Sequence, residues 1–329
     1  MKANIRRLLV AMLFGVCVYG AFVVYSGIDK IRNSLSHFHV SAFLAACGLA
    51  FGNYVVRYLK WEFYLSRLEI KNVKKLDSFF TFLSGFVLTI TPGKVGEVFK
   101  SLILYETYNV PMTKTAPIVV AERATDVLGI VVLIALGSLG FSGGLVWAGV
   151  GTGLVLALLA VVRSRKLSLS IIELSARLPG KFGKMAPKLE AAYSSLATML
   201  EPRNLVVPTL LSTCAWVLEC LALWVILRGF GESISVMLST FFYATSTLLG
   251  AIVAVTPGGL GVTESALLGQ MTELGHLDRG IATAAMLLVR FATLWFAVLV
   301  GFVALSLIKR RFPGLLAKET PPIANETAE

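Results

Sequence analysis

The sequence predicts an all-α polytopic membrane protein with inverted repeats: six spanning helices and two opposed re-entrant helical hairpins. Three observations lead there: the composition, the placement of the basic residues, and a turn sequence that occurs twice. The 329 residues are 56% hydrophobic and 15% charged, with a mean hydropathy of +0.79. A soluble domain carries about 25% charged residues. The long apolar runs are therefore expected to cross a bilayer.

The basic residues lie in the loops between apolar runs. The formal net charge is +11, and basic loops of membrane proteins face the cytoplasm. Nucleic-acid binding is therefore not expected. All four cysteines lie inside apolar stretches without the spacing of metal ligands, so we expect no disulfide framework, no metal site and no cofactor.

Six apolar runs are long enough to span: 8–25, 40–65, 118–139, 145–162, 205–227 and 281–308. A short polar loop, 29–39, joins the first two. The second run is expected to carry Arg57, Lys60 and Glu62 at its cytoplasmic end. Two further segments consist of short helical patterns on either side of a turn, at 79–108 and 236–274. In the first segment, both halves are shorter than the roughly 20 residues that a span requires. In the second, the run 236–255 precedes the turn and only the helix after it, 264–274, is short.

Orientation follows from the basic segments, which place 67–77, 163–203 and 309–311 in the cytoplasm together with both termini. The first short pair then begins and ends inside, and the second begins and ends outside, as re-entrant hairpins from opposite faces would. The linker 163–203 contains apolar residues at helical spacing, which fits either an amphipathic surface helix or a packed linker helix. The transmembrane domain covers 1–311, and 312–329 is expected to be a disordered cytoplasmic tail.

The two turns are related in sequence. Residues 91–97 read TPGKVGE and residues 256–264 read TPGGLGVTE. Glu97 precedes Arg123 by 26 residues, and Glu264 precedes Arg290 by the same interval. We therefore predict a first repeat at about 40–139 and a second at about 205–308. Inverted repeats with broken helices are typical of transporters, whose substrate site lies near the bilayer midplane.

A helix that begins after each turn would present free N–H groups and a positive dipole end, which bind anions. The predicted site is therefore one for binding substrate, with no catalytic residue. The candidate residues are Pro92, Gly93, Lys94, Gly96, Glu97, Lys100, Glu122, Arg123, Asp126, Pro257, Gly258, Gly259, Gly261, Glu264 and Arg290.

Charged side chains inside spans are costly, and they are usually paired or functional. Arg123 and Arg290 fit either an anionic head group or structural ion pairs that lock each hairpin to its neighbouring span. Asp126 lies three residues after Arg123, where a local ion pair is expected. Glu122 is expected to face the cytoplasmic interface. Glu219 fits either proton coupling or an interhelical hydrogen bond.

Three motifs resemble the signatures of the lysylphosphatidylglycerol synthase transmembrane, or flippase-like, family. They are the two turns and residues 122–126, which read ERATD, and the resemblance covers roughly residues 5–310. In the multiple peptide resistance factor, a related membrane domain flips aminoacylated phosphatidylglycerol and precedes a soluble aminoacyltransferase domain. The resemblance implies that this chain lacks the synthase activity. Stand-alone members resemble partners of glycolipid, hopanoid or polyprenyl-lipid pathways.

The sequence thus predicts a flippase that moves an anionic or zwitterionic (glyco)phospholipid or a polyprenyl-linked lipid between the leaflets of a bacterial inner or plasma membrane. Two alternatives stay open: a secondary transporter of small anions or metabolites, and an accessory subunit of a glycolipid or cell-envelope glycosyltransferase pathway. No nucleophile motif, Walker loop or dinucleotide fingerprint occurs, so an enzyme is not expected. Beyond the lipid, a lipid-modifying enzyme, a glycosyltransferase and a second copy of the chain remain open as partners.

Overall fold

The computed structural model describes residues 2–89, 95–141, 201–252 and 257–316, and the single positions 146, 149, 153 and 199. Regular structure in these residues is helical. In chain order the helices are α1 (Lys2–Ser26), α2 (Ile28–Ser36), α3 (Val40–Arg67), α4 (Lys75–Ser84), α5 (Val95–Tyr108), α6 (Met112–Thr115), α7 (Pro117–Ser138), α8 (Pro202–Gly229), α9 (Val236–Ile252), α10 (Val262–Glu273), α11 (Arg279–Arg290) and α12 (Phe296–Arg311). Short 3-10 turns, Gly85–Leu88 and Pro257–Gly259, follow α4 and precede α10, and a π-helical segment, Phe291–Trp295, joins α11 to α12.

Three helical stretches of the described chain are long and apolar enough to cross a membrane: Val40–Arg67, Arg203–Gly229 and the continuous Arg279–Arg311. A bent pair, Met12–Ser26 with Ile28–Ser36, provides a fourth if it counts as one span. An α-helical membrane protein is thus confirmed. Six spans remain a prediction, because α7, the predicted third span, is not among these stretches and the run 145–162 lies almost wholly outside the described residues.

The predicted polar loop 29–39 is wrong for most of its length, because α2 occupies Ile28–Ser36. The chain turns by 90° between α1 and α2, and Gly27 takes a φ of 88° there, which glycine adopts without steric penalty. Ile31 is buried while the polar residues face outwards. The polar composition thus conceals a short amphipathic helix that packs against α11.

Helices α3 and α8 form the central pair and run antiparallel. The Asn53 side chain donates to the Ala215 carbonyl at 2.7 Å, and the His39 N–H donates to the Gly229 carbonyl at 3.0 Å. Buried alanines, Ala46, Ala50, Ala215 and Ala222, lie on these two helices. Small residues allow helix backbones in a membrane to approach closely.

The two short helix pairs each fold back on themselves as antiparallel hairpins. In the first, Tyr108 at the end of α5 donates to Asp77 near the start of α4, at 2.6 Å. In the second, the Gln270 amide of α10 donates to the Ser246 hydroxyl of α9, at 2.9 Å. The turn residues 90–94 and 253–256 lie outside the described part of the chain.

Each hairpin packs against a helix from the other half of the chain. The 3-10 turn after α4 contacts α12 so closely that a Cβ at Gly301 would lie 2.7 Å from the Val87 nitrogen. Likewise α9 contacts α7, where a Cβ at Gly137 would lie 2.7 Å from the Phe241 nitrogen. The two halves therefore interlock, and their relative position depends on these contacts.

The ordered chain continues beyond α12. Leu315 is buried, and the Leu316 N–H donates to the Glu106 carboxylate at 2.7 Å. The expectation of disorder from 312 onwards is therefore wrong for 312–316, which pack on α5 because two leucines supply an apolar contact. Residues 317–329 and almost all of the linker 163–203 lie outside the described residues.

Substituting Gly137→Ala should destabilise the protein by about 1–3 kcal/mol, because the new methyl group forces α7 away from α9. Thermal unfolding of the purified protein in detergent measures the effect. The matched control is Gly269→Ala in α10, where a Cβ would meet no atom within 4 Å. Equal unfolding temperatures for the two variants would contradict the tight α7–α9 contact.

Candidate functional site

A cavity of about 530 Å³ lies between the central helices and the two hairpins. Residues from α3, α4, α5, α7, α8, α9 and α11, from both 3-10 turns and from the π segment line it. Its volume is within the range of small-molecule sites. Because both halves of the chain contribute, it is the natural candidate for a site that they share.

One wall of the cavity carries three cations around a single carboxylate. Asp126 on α7 is bound by Arg57 Nη1 at 2.9 Å and by Lys60 Nζ at 2.7 Å, both from α3. Arg123 Nη1 lies 3.6 Å from the same carboxylate. The Asp126 side chain is 3% exposed and that of Arg123 is 38% exposed. Arg123 is thus the most accessible of the three cations around Asp126.

Neighbouring side chains fix the Arg57 guanidinium. Its Nε donates to Asn53, one turn earlier on α3, at 3.0 Å, and its carbon lies 4.6 Å from the centre of the Trp216 ring. A planar guanidinium stacks on an aromatic face and keeps its remaining donors in a fixed fork. Arg57 is therefore held in a geometry suited to two-point binding of a phosphate or carboxylate.

Lys60 is fixed in a different way, through Ser212 of α8. Its Nζ donates to the Ser212 hydroxyl at 2.7 Å, and that hydroxyl donates to Asp126 at 2.9 Å. The Lys60 side chain is only 1% exposed. A charge so deeply buried requires a partner, so Lys60 joins α3, α7 and α8 more than it offers itself to a ligand.

A second ion pair in the wall corrects the expectation for Glu122, which was placed at the cytoplasmic interface. Glu122 is buried and accepts a hydrogen bond from Lys100 of α5 at 2.8 Å. Lys100 also lies 4.6 Å from the centre of the Trp61 ring and 5.1 Å from that of Phe82. The expectation was wrong because the compensating cation comes from the hairpin and not from the same helix.

The second turn places its charges differently. Gly258, Gly259 and Gly261 take φ values of 62°, 72° and 91°, which side chains with a Cβ rarely adopt. The Gly261 N–H donates to Glu264 at 2.6 Å, and Arg290 Nε donates to the other oxygen of the same carboxylate, also at 2.6 Å. Glu264 therefore caps α10 and neutralises Arg290. Of the two alternatives for Arg290, the structure contains the ion pair.

The structure brings most of the described candidates together. The cavity is lined by Lys100, Glu122, Arg123, Asp126, Gly258, Gly259 and Arg290. Gly261 and Glu264 adjoin it through their bonds to one another and to Arg290. Pro92, Gly93 and Lys94 lie outside the described residues, as do the side chains of Glu97 and Pro257; Gly96 lies in the first turn of α5.

Sequence reasoning missed Arg57 and Lys60 as site residues. It placed them at the cytoplasmic end of the second span, but α3 continues to Arg67 and both side chains lie against the cavity. Their three-residue spacing within an apolar helix indicates a shared face. That signal was present in the sequence, whereas their partner Asp126 was not identifiable from it.

Glu219 of α8 also lines the cavity. It accepts a hydrogen bond from the Tyr243 hydroxyl of α9 at 2.7 Å. Of the two alternatives for Glu219, the interhelical hydrogen bond is therefore present. No group of three or more potential metal ligands occurs among the side chains that the structure describes. The arrangement of cations and apolar side chains can hold an anion beside apolar walls.

Comparison with known proteins identifies the family. A UPF0104 membrane protein of Methanocaldococcus jannaschii is 23% identical over 94% of this chain and 97% of its own length. A second from the same organism is 25% identical over 68% of this chain and 95% of its own length. One from Pyrococcus horikoshii is 21% identical over 88% and 94%, respectively. The family model described as the lysylphosphatidylglycerol synthase TM region matches residues 9–301, so the chain belongs to that family of membrane proteins.

Proposed function

We propose that this protein moves a lipid with an anionic or zwitterionic head group from one leaflet of the membrane to the other. The observation that carries the proposal is the cavity in which Arg57, Lys60 and Arg123 surround the single carboxylate of Asp126. An anionic head group that enters there would meet several cationic donors at once. Arg57 and Arg123 supply the planar donors that bind phosphate oxygens.

The apolar lining favours a lipid over a small soluble anion. Beside the charged cluster, the cavity is lined by apolar and aromatic side chains that include Phe82, Phe86, Val127, Ile130 and Leu248. Acyl or prenyl chains would cover such walls and gain free energy by doing so. A small metabolite would leave them facing water. Membership of a family described by a lipid synthase supports the same choice.

The proposed architecture is an inverted repeat of six spans with two re-entrant hairpins and both termini in the cytoplasm. Three observations support it: the repeated turn, the two antiparallel helix pairs, and the packing of each hairpin on a helix from the other half. In such folds the substrate site lies between the repeats. The cavity shared by both halves occupies the corresponding place.

In the proposed mechanism the head group competes with Asp126 for its cations. A phosphate that enters beside Arg123 would share the guanidinium groups now directed at the carboxylate, so little net charge is left without a partner at any stage. Exchange of partners is cheaper than stripping a buried charge of all its contacts. The hairpins, which contribute both 3-10 turns to the cavity wall, would open it alternately to either leaflet.

Arg57→Ala and Arg123→Ala should each slow lipid translocation about tenfold to a hundredfold, because charge-assisted hydrogen bonds contribute about 1.5–3 kcal/mol. The measurement is translocation of a fluorescent phosphatidylglycerol in proteoliposomes. The matched control is Arg32→Ala, which removes an exposed arginine of α2.

A second transport assay, with the same proteoliposomes, tests whether the substrate is a lipid or a soluble anion. Radiolabelled glycerol 3-phosphate carries a phosphate without acyl chains, and the proposal expects no protein-dependent uptake of it. If the protein takes up glycerol 3-phosphate but does not translocate the lipid, the substrate is a small anion and not a lipid. Lipid translocation at the wild-type rate in both arginine variants would place the site elsewhere.

Asp126→Asn should tighten anion binding, because it removes the carboxylate that competes for three cations while keeping a similar shape. The same change should lower the stability by several kcal/mol, because it leaves Lys60 buried without its anion. Calorimetric titration with a short-chain phosphatidylglycerol measures the first effect, and thermal unfolding measures the second. Unchanged or weaker binding by folded Asp126→Asn would refute the competition.

Cysteine labelling should place the two hairpins on opposite faces of the membrane. In a variant without the four native cysteines, Lys71→Cys and Lys114→Cys flank the first hairpin, and Ser233→Cys and Glu273→Cys flank the second. A membrane-impermeant maleimide added to intact cells should label only the second pair. Labelling of one residue from each pair would show that the hairpin segments cross the membrane.

A further inference from the structure

Glu219 is set apart from the other acidic side chains at the cavity. Each of the others binds a cation: Glu122 with Lys100 at 2.8 Å, Asp126 with Lys60 at 2.7 Å, and Glu264 with Arg290 at 2.6 Å. Within the described residues, no cation lies within ion-pair distance of Glu219, and its hydrogen bond comes from a neutral tyrosine hydroxyl. Burial opposes the ionised form of Glu219 and the Tyr243 hydrogen bond supports it, so no ion pair fixes its protonation state.

The hydroxyl groups next to Glu219 can satisfy both states. Tyr243 lies 2.7 Å from the carboxylate and 3.3 Å from the Thr293 hydroxyl, which donates to the Val289 carbonyl at 2.8 Å. When Glu219 is ionised, Tyr243 donates its one proton to it. When Glu219 is protonated, it can donate to Tyr243, which then donates to Thr293. In both protonation states of Glu219, each hydroxyl donor in this row of groups therefore has an acceptor, and no side chain has to change its rotamer.

This row of hydroxyls connects moving parts of the proposed transporter. Tyr243 lies on α9 of the second hairpin, and Thr293 lies in the π segment, three residues after Arg290. The Thr293 carbonyl also accepts a hydrogen bond from Tyr54 of α3 at 3.0 Å. Single π-helical turns are frequent at functional sites, where they re-aim side chains and carbonyls. The protonation state of Glu219 is thereby linked to the hairpin and to the helix of Arg290.

The electrostatic surroundings of Glu219 are mixed. The titratable and charged groups that face it are Tyr54 and Arg57 on α3, Asp126 on α7, Tyr243 on α9, Arg290 on α11 and the neighbouring thiol of Cys220. The two arginines favour the ionised carboxylate, although each already binds another acid. Asp126 and the apolar setting favour the protonated form. The charge on Arg57 therefore acts on Glu219 and on the anion site together.

We infer that Glu219 is a proton-binding site coupled to the anion site, so that a proton and the anionic head group bind cooperatively. This inference rests on the proposed function. A proton from water adds to a Glu219 carboxylate oxygen and gives the neutral acid. One negative charge near Arg57 disappears, and the phosphate of the head group can replace it. By thermodynamic reciprocity each ligand raises the affinity for the other by the same factor.

The sign of the pH dependence follows. As the pH falls, Glu219 takes up its proton and the affinity for the anion rises. Coupling between two sites in one protein is typically 5-fold to 150-fold, so we expect the affinity to rise about tenfold as the pH falls through the midpoint of Glu219 protonation. Glu219→Gln mimics the protonated group. It should bind the anion with the affinity of the wild-type protein at low pH, and this affinity should not change with pH.

Two measurements test the inference. The first is infrared difference spectroscopy of the purified protein during acidification, which detects the carbonyl band of a protonated carboxyl group and needs no lipid. The second is calorimetric titration with short-chain phosphatidylglycerol, whose phosphate diester stays ionised throughout. Glu273→Gln on the exposed end of α10 is the matched control. Tyr243→Phe removes the neutral donor, so it should move the midpoint of the pH dependence upwards.

The outcomes separate the proton site from the proposed function. The proton site is supported if the carbonyl band of one protonated carboxyl group disappears in Glu219→Gln but not in Glu273→Gln. It is overturned if that band persists in Glu219→Gln. A pH-dependent affinity in Glu219→Gln equal to that of the wild-type protein overturns the coupling while translocation stands. A wild-type protein that binds no phosphatidylglycerol at any pH overturns the coupling and the proposed function together. The infrared result then decides the proton site by itself.

Discussion

The burial of Asp126 among three cations is the interaction on which the rest of the structure depends. Charges in an apolar helix bundle are tolerated only when they are paired, and this carboxylate pairs with α3 through Arg57 and Lys60 while Ser212 adds α8. Three helices are thus held at fixed positions around one group.

Two groups of described charges lie at the cavity, one in each half of the chain. In the second half, Glu264 caps α10 and pairs with Arg290. In the first half, a single carboxylate faces three cations.

The sequence predicts the helical class, the two short helix pairs and the spacing that brings Glu264 to Arg290, because each depends on local patterns. Ion pairs between residues of different helices cannot be predicted from such local patterns. The faces of Arg57 and Lys60 could be read from their spacing, but Asp126 as their partner depends on how α3 and α7 pack. Glu122 was misplaced for the same reason, since Lys100 reaches it from another element. Helix α2 was missed because its composition is polar, although Ile28, Ile31 and Leu35 share a face.

Moving an anionic head group across the membrane costs free energy. This cost explains the value of Glu219, an acid that has no ion-pair partner among the described residues, beside the cations around Asp126. Moving a charge through a low-dielectric region costs far more than moving it in water. Cations at the site lower that cost for the loaded state, but in the empty state the same cations need other negative charges close to them. Asp126 supplies part of the missing charge. Glu219 can supply more, since it is negative when the site is empty and neutral when a proton accompanies the anion. In the proposed cycle the net charge of the cavity therefore stays nearly constant. The free-energy barrier to the conformational change is then lower for the loaded site and for the empty site.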